Sequence, residues 1–407
     1  MKNINLFVLL AVFPLMFFNS CDGDDIEDYL GKRKTEDILE WQYSLPAVTN
    51  SGRFTKETPA VDEDDNIYVF SYVANGDIIT SLTKNGSLRW EANIGDSGNV
   101  ISRIAYKSGK LFFISHNDDY PVVNFLSCYN SENGSKEWRV EISGDCNAFS
   151  VVDDGIITIT DDNINYNYHV TKFDFNGIIT ANTDMELNYS ENFTLINSFR
   201  NDVYIMGEFG NTSIAHIFKY SFGGSYFTKE WDLDLAENNN SADFAIDGAG
   251  NIYVMTNGYF YSISSSGTVN WKNNEVDIYD MEIRTNPVLT DSTNILLSYS
   301  ALFKLNPAGV ILWKNENENA GAVIGKNKKY YMIESYQGPK CVNTDGSIYW
   351  YSSLNISTAY PAMLHNGNLV YIYEREVYCI NTEAGGLDEA AEWPKIYFDY
   401  GNTSCKK

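Results

Sequence analysis

Short apolar runs begin at Ile67, Leu111, Ile156, Val203, Ile252, Ile295, Tyr330 and Leu369, at intervals of 44, 45, 47, 49, 43, 35 and 39 residues. Each follows a polar or glycine turn, as in Asn66-Ile67-Tyr68-Val69-Phe70, Asn251-Ile252-Tyr253-Val254-Met255 and Asn368-Leu369-Val370-Tyr371-Ile372. β-branched and aromatic residues dominate the runs, which is the composition of a buried strand. Recurrence at this period predicts one supersecondary unit repeated along the chain, with one such strand in each copy.

A second landmark follows each run: a tight glycine turn with a tryptophan four residues later. Gly86/Trp90, Gly134/Trp138, Gly267/Trp271, Gly309/Trp313 and Gly346/Trp350 share that spacing. With 29 glycines and eight tryptophans in 407 residues, chance would supply roughly 0.6 such pairs, so five mark a repeat. The unit reads as a hairpin whose turn needs positive φ, followed by an outer strand carrying one large ring that wedges between neighbouring sheets. The tryptophans are therefore expected to be structural. Two repeats depart from the pattern: Asn176-Gly177 is followed by Ala181, and Gly223-Gly224 by Trp231 with three extra residues. Looser packing is expected there.

Trp41 precedes the first repeat, while the eighth, ending near Asn381-Thr382-Glu383-Ala384-Gly385-Gly386, has no tryptophan of its own. A strand around Trp41 can complete that last unit, closing a ring and removing two open sheet edges. The expected fold is all-β: an eight-bladed β-propeller of four-stranded antiparallel blades, closed by the N-terminal strand near Trp41.

The segment Cys128-Tyr129-Asn130-Ser131-Glu132-Asn133-Gly134-Ser135-Lys136-Glu137-Trp138 matches in spacing the tryptophan-docking repeat of the quinoprotein-like (PQQ-type) β-propeller superfamily. Pro59-Ala60-Val61-Asp62 and Pro287-Val288-Leu289 look like repeat starts of the same kind. The chain thus resembles that superfamily, and within it the BamB-like bacterial lipoproteins, over about residues 39 to 407. Trp393-Pro394-Lys395 followed by Phe398-Asp399-Tyr400-Gly401-Asn402-Thr403 is similar to a terminal latch of some bacterial members.

Residues 1–20 read as an export signal: Lys2 is the positive n-region, and Ile4 to Phe18 is an apolar core short for a membrane span. Phe18-Asn19-Ser20-Cys21 resembles a bacterial lipoprotein cleavage site, with Cys21 as the lipidated residue and Phe18 replacing the usual aliphatic. Asp22-Gly23-Asp24-Asp25-Ile26-Glu27-Asp28 then forms an acidic stretch that stays solvated. Acidic residues beside a lipid cysteine resemble surface-export signals. The expected layout is a signal peptide over 1–20, a lipidated cysteine and acidic tether over 21–38, and a single propeller domain over 39–407. The expected location is the bacterial outer membrane, with the cell surface favoured over the periplasmic face.

A net charge of −25 opposes nucleic acid and anionic lipid, since phosphate attraction needs clustered Lys and Arg. Six cysteines include Cys21, leaving an odd number. Cys128, Cys341 and Cys379 fall on the third strands of three blades and read as small buried hydrophobes, with a Cys341/Cys379 bond the one conceivable pairing.

The four histidines, His116, His169, His216 and His365, fall in different repeats without metal-ligand spacing. Asp62-Glu63-Asp64-Asp65-Asn66 and Asp247-Gly248-Ala249-Gly250-Asn251 offer oxygen ligands that calcium could use. Both occupy the same place in the repeat, however, where a hairpin turn demands those residue types. The dehydrogenases that give the superfamily its name use a vicinal cysteine pair and a metal-bound quinone. This sequence has no adjacent cysteines, so neither a PQQ cofactor nor a catalytic or metal site is expected. Tyr166, Tyr168 and Tyr189, near Asp161-Asp162-Asn163, could form an aromatic contact surface.

Three functions remain, in this order: a non-catalytic scaffold presenting loops to a protein partner, a surface glycan-binding or nutrient-capture lipoprotein, and a carbohydrate-active enzyme with paired carboxylates in the central funnel. The chain is expected to act as a monomer held at the membrane by its lipid.

Overall fold

The computed structural model describes residues 31–406, apart from 34, 47–57, 74–75, 95–97, 118–122, 143–147, 162–167, 186–190, 210–213, 239–243, 257–258, 277–287, 291–293, 299–300, 316–320, 335–337, 353, 355–359 and 396. The signal peptide, Cys21, the acidic stretch after it, Cys146, Tyr166, Tyr189 and Pro287 lie outside the described residues.

Eight antiparallel sheets follow one another among the described residues, each built on four strands. Blade one comprises Ala60–Val61, Ile67–Ser71, Ile78–Leu82 and Leu88–Asn93. Blade two is centred on Lys110–Asn117 and Asn124–Asn130, with Lys136–Ile142 outermost and its first strand split into Gly98–Val100 and Ala105–Lys107. Blades three and four end on Ile179–Asp184 and the long Phe227–Asn238, and blades five, six and seven on Val269–Asn273, Ile311–Asn315 and Ile348–Ser352. The eighth takes Ala362–Met363, Leu369–Tyr373 and Glu376–Ile380 from the end of the chain and Leu39–Ser44 from its beginning. One four-residue helix, Thr35–Ile38, is the helical content of the described residues.

The alternation of the sequence explains which strand faces what. The second strands, such as Ile67–Ser71 and Ile252–Thr256, are buried at every position because sheets cover both of their faces. Fourth strands such as Leu39–Ser44 alternate half-buried and exposed residues, because only one face packs on a neighbour. The apolar clusters therefore lie between sheets: Ile67, Val69 and Leu82 of blade one pack with Ala362, Val370 and Cys379 of blade eight.

Closure follows the register Leu39↔Ile380, Trp41↔Cys379, Gln42↔Tyr378, Tyr43↔Val377 and Ser44↔Glu376. Part of the segment expected as tether belongs to the ring. Lys32–Arg33 adds a short parallel strand to the outer edge of blade seven, and Ile38 is buried at 2% exposure. The Arg33 guanidinium lies 4.8 Å from the Trp350 ring and 3.0 Å from Glu383.

Candidate functional site

The repeated tryptophans form a belt in which each outer strand grips the next blade. An indole N–H donates to a turn carbonyl of the following blade in six cases: Trp41 to Lys84 at 2.8 Å, Trp90 to Ser131 at 3.1 Å, Trp138 to Phe175 at 2.9 Å, Trp231 to Ser265 at 3.0 Å, Trp271 to Pro307 at 2.8 Å and Trp313 to Thr344 at 3.0 Å. Trp350 donates instead to the Glu383 carboxylate at 3.1 Å. The glycine of the receiving turn carries the ring directly. A Cβ on Gly134, whose φ is +72°, would stand 2.5 Å from the Trp90 ring, so the residue must be glycine both for its backbone and for the approach. Gly86 under Trp41, Gly267 under Trp231, Gly309 under Trp271 and Gly346 under Trp313 stand in the same relation, at 2.6, 2.8, 2.7 and 2.8 Å. Trp41 is thus the blade-eight member of the series, and its contact with Gly86 bridges the seam of the ring. The three extra residues before Trp231 do not displace it, because they lengthen the blade-four hairpin by the pairs Ser221↔Thr228 and Phe222↔Phe227.

The axis is closed on one rim by the chain's own C-terminus. Carbonyls of Tyr400, Gly401, Thr403 and Ser404 accept from the backbone N–H groups of Val61, Tyr106, Val151 and Ser198, at 2.9, 2.7, 2.9 and 2.9 Å. Those donors sit at the turn ends of the innermost strands of blades one to four, and Ile324 of blade seven donates to Pro394 at 2.9 Å. Cys405–Lys406 ends the path as a parallel strand inside blade four. Trp393 is fully buried beside the inner strand of blade five.

Three polar side chains, Lys395, Asn402 and Arg103, are enclosed with this segment, and Asp399 is half-buried beside them. Lys395 donates to the Asp399 carbonyl at 2.9 Å and to Asn402 Oδ1 at 2.5 Å. Asn402 Nδ2 donates to the carbonyls of Thr58 at 2.9 Å and Ile104 at 3.2 Å, tying blade one to blade two. Arg103 Nε donates to the Asn402 carbonyl at 2.9 Å, and its guanidinium lies 4.3 Å from the Phe149 ring and 4.5 Å from that of Tyr397. The Asp399 carboxylate accepts from Thr403 N at 2.9 Å and Thr403 Oγ1 at 2.7 Å. Burial pushes Lys395 down to about 7 and raises Asp399, because each charge loses its water. Lys395 and Asn402 bond to each other and to the ring there, whereas the buried indole N–H of Trp393 has no hydrogen-bond partner.

The two acidic turns use their carboxylates internally. Asp62 accepts from Asp64 N at 3.0 Å, Asn66 N at 2.8 Å, Asn66 Nδ2 at 2.9 Å and the Tyr68 hydroxyl at 2.7 Å. Asp247 repeats this with Ala249 N, Asn251 N and Asn251 Nδ2, each at 2.8 Å, and Tyr253 at 3.2 Å. A carboxylate so occupied acts as a turn residue. Among the described residues no group of three or more His, Cys, Asp or Glu side chains is placed to hold a metal. The histidines are not brought together: His169 pairs with Asp184 at 2.8 Å, His216 lies 3.4 Å from Asp232, and His365 bonds Asp65 at 2.7 Å while stacking on Tyr400.

Cys128, Cys341 and Cys379 are buried free thiols, each pushed up to about 12 by burial. Tyr168 does not contribute to an aromatic contact surface. It is 8% exposed and its ring meets that of Phe193 at 5.0 Å, in the core between blades three and four. Arg103 was not expected from the sequence, and the last residues were expected only as a terminal latch, not along the axis. The sequence signal for that segment is Trp393-Pro394-Lys395 followed by Phe398-Asp399-Tyr400-Gly401-Asn402-Thr403.

Comparison with known proteins places this geometry among propellers. Residues 32–175 match the family model described as outer membrane protein assembly factor BamB. BamB from Moraxella catarrhalis is similar in fold, with a TM-score of 0.53 and 13% identity, over 82% of this chain and 98% of that one. Quinohemoprotein alcohol dehydrogenase from Comamonas testosteroni gives 0.59 and 13%, over 86% and 77%, and Sqt1 from Saccharomyces cerevisiae 0.56 and 11%, over 81% and 98%. No curated protein matches the sequence. The fold is common to an assembly factor and to dehydrogenases, so by itself it selects neither role.

Proposed function

We propose that this chain is a non-catalytic envelope lipoprotein whose propeller is a scaffold for protein–protein interaction at the outer membrane. The observation that carries the reading is the rim that the C-terminus closes. Where a propeller enzyme would keep an open funnel, this chain threads its own C-terminus past blades one to four and satisfies the buried Lys395, Asn402 and Arg103 against one another. The match of residues 32–175 to the BamB family model supports the same role, and the charge of −25 argues for a partner other than nucleic acid.

In this proposal residues 1–20 are removed, Cys21 carries the lipid, the acidic stretch leads to a single propeller that acts as a monomer, and the cell surface is the favoured face. The test is affinity capture of the full chain from detergent-solubilised envelope, beside a Cys21→Ala variant. Co-purification of an outer-membrane barrel protein is the expected result, with radiolabelled palmitate incorporated by the native chain and absent from the variant. Retention on a polysaccharide column with no protein partner would replace the scaffold by a glycan binder, and polymer turnover by an enzyme. Protease treatment of intact cells reads the leaflet.

A further inference from the structure

The belt has one gap. Ala181 occupies the tryptophan position of blade three, opposite Lys172 in the register, and the blade-four turn that would receive a ring has none. A Cβ on Gly224, at the tip of the lengthened blade-four hairpin, would meet nothing within 4 Å, whereas one on the turn glycine of six other blades would strike the neighbouring indole. Lys172 crosses part of the vacancy, its Nζ 4.0 Å from the Phe222 ring. Behind it a cleft of about 410 Å³ runs between the two blades to Cys405 and Lys406, a size that small ligands use, roughly 300–1,000 Å³.

The charges around this cleft pair off with one exception. Lys107 meets Asp153 at 3.1 Å, Lys172 meets Asp154 at 2.7 Å, Lys219 meets Asp202 at 2.9 Å, and Lys406 meets Glu392. Arg200, on the blade-four turn, rests against the Phe199 ring at 4.8 Å and has no carboxylate partner among the described residues. Beside it Ser198 lines the same cleft at 1% exposure, and its Oγ lacks a hydrogen-bond partner. A buried hydroxyl left unpaired is costly, and a ligand that reaches it recovers that cost. Burial, with repulsion from Arg200 adding to it, pushes Lys406 down to about 8, a field that an anion would relieve.

We propose that the cleft between blades three and four is a binding site for a small carboxylate carried on a flat apolar body. The body takes the place of the missing indole against Phe222 and Val203, and the carboxylate meets the Arg200 guanidinium and the Ser198 hydroxyl. A planar guanidinium is the side chain best matched to a carboxylate. The site is independent of the scaffold role and stands or falls separately.

Calorimetric titration of the full chain with indole-3-acetate, and with its neutral amide, tests this. The acetate should bind more tightly than the amide. Ala181→Trp, which fills the vacancy, should abolish acetate binding while leaving the melting temperature at or above that of the native chain. Arg200→Gln, at an exposed turn, should weaken the acetate at least tenfold and leave the amide unchanged, a readout that does not depend on how the tryptophan variant folds. Equal binding of acetate and amide, acetate binding that survives both substitutions, or no binding at millimolar acetate would overturn the proposal.

Discussion

Gly134→Ala probes how the blades are joined, because the new methyl group would stand 2.5 Å from the Trp90 ring on a residue at φ +72°. The two penalties are separable. Placing alanine at positive φ costs about 1 kcal/mol, and forcing a packed indole out of its seat costs about 2 kcal/mol more. Trp90→Ala alone should cost about 3 kcal/mol: the ring is half-buried, and its hydrogen bond to Ser131 O at 3.1 Å goes with it. With the indole absent the clash disappears, so Gly134→Ala in the Trp90→Ala background should cost only about 1 kcal/mol. The cycle therefore predicts a coupling of about 2 kcal/mol between residues on different blades. Urea unfolding followed by far-ultraviolet circular dichroism on the four proteins measures it. Additive effects, with a coupling below about 0.5 kcal/mol, would refute the view that ring against glycine holds adjacent blades.

Asn402→Ala should destabilise by about 4 kcal/mol in the same assay, since it strands the carbonyls of Thr58 and Ile104 and removes an acceptor from the buried Lys395; a cost under about 1 kcal/mol would mean that the axial segment is not part of the fold. Asp247→Ala should cost about 2 kcal/mol through the lost turn hydrogen bonds, and millimolar calcium should leave the melting temperature of the native chain unchanged. A calcium-dependent rise that Asp247→Ala removes would make the turn a cation site. Lys395 is depressed from its ordinary 10.5 to about 7, so above about pH 7 the unfolded chain holds more protons than the folded one and stability rises with pH. Between pH 7 and 9 the native protein should gain stability relative to Lys395→Met; parallel pH profiles would show that the ammonium is not desolvated.

What the sequence makes legible is whatever repeats. The strand starts and the glycine-to-tryptophan spacing report a local hairpin and a contact to the next copy, and both recur often enough to be read without coordinates. Trp41 is legible for the same reason, as the one ring without its own hairpin facing the one hairpin without its ring. The axial closure is not periodic. Tyr400, Gly401, Thr403 and Ser404 bind through backbone carbonyls, so the residue types of 393–403 mark a latch without showing which blades it ties. Tyr397, Phe398, Asn402 and Ser404 all adopt positive φ, which residue types other than glycine do not advertise. Arg103 reads as a surface charge in sequence, and only the fold shows it enclosed at 5% exposure between Phe149 and Tyr397. The cleft of blades three and four is legible by omission: Ala181 and Gly223-Gly224 mark where the belt fails, though not which charges line the gap.

Ring closure by the N-terminal strand is tested most directly by a cross-link at its register. Gln42 and Tyr378 are paired across the seam, and Cα atoms of such antiparallel pairs lie about 4.5–5.5 Å apart, within disulfide reach. Gln42→Cys with Tyr378→Cys, oxidised and digested, should give one intramolecular disulfide-linked peptide joining the two ends of the chain. Two free thiols, or links found only between molecules, would contradict a propeller sealed by residues 39–44.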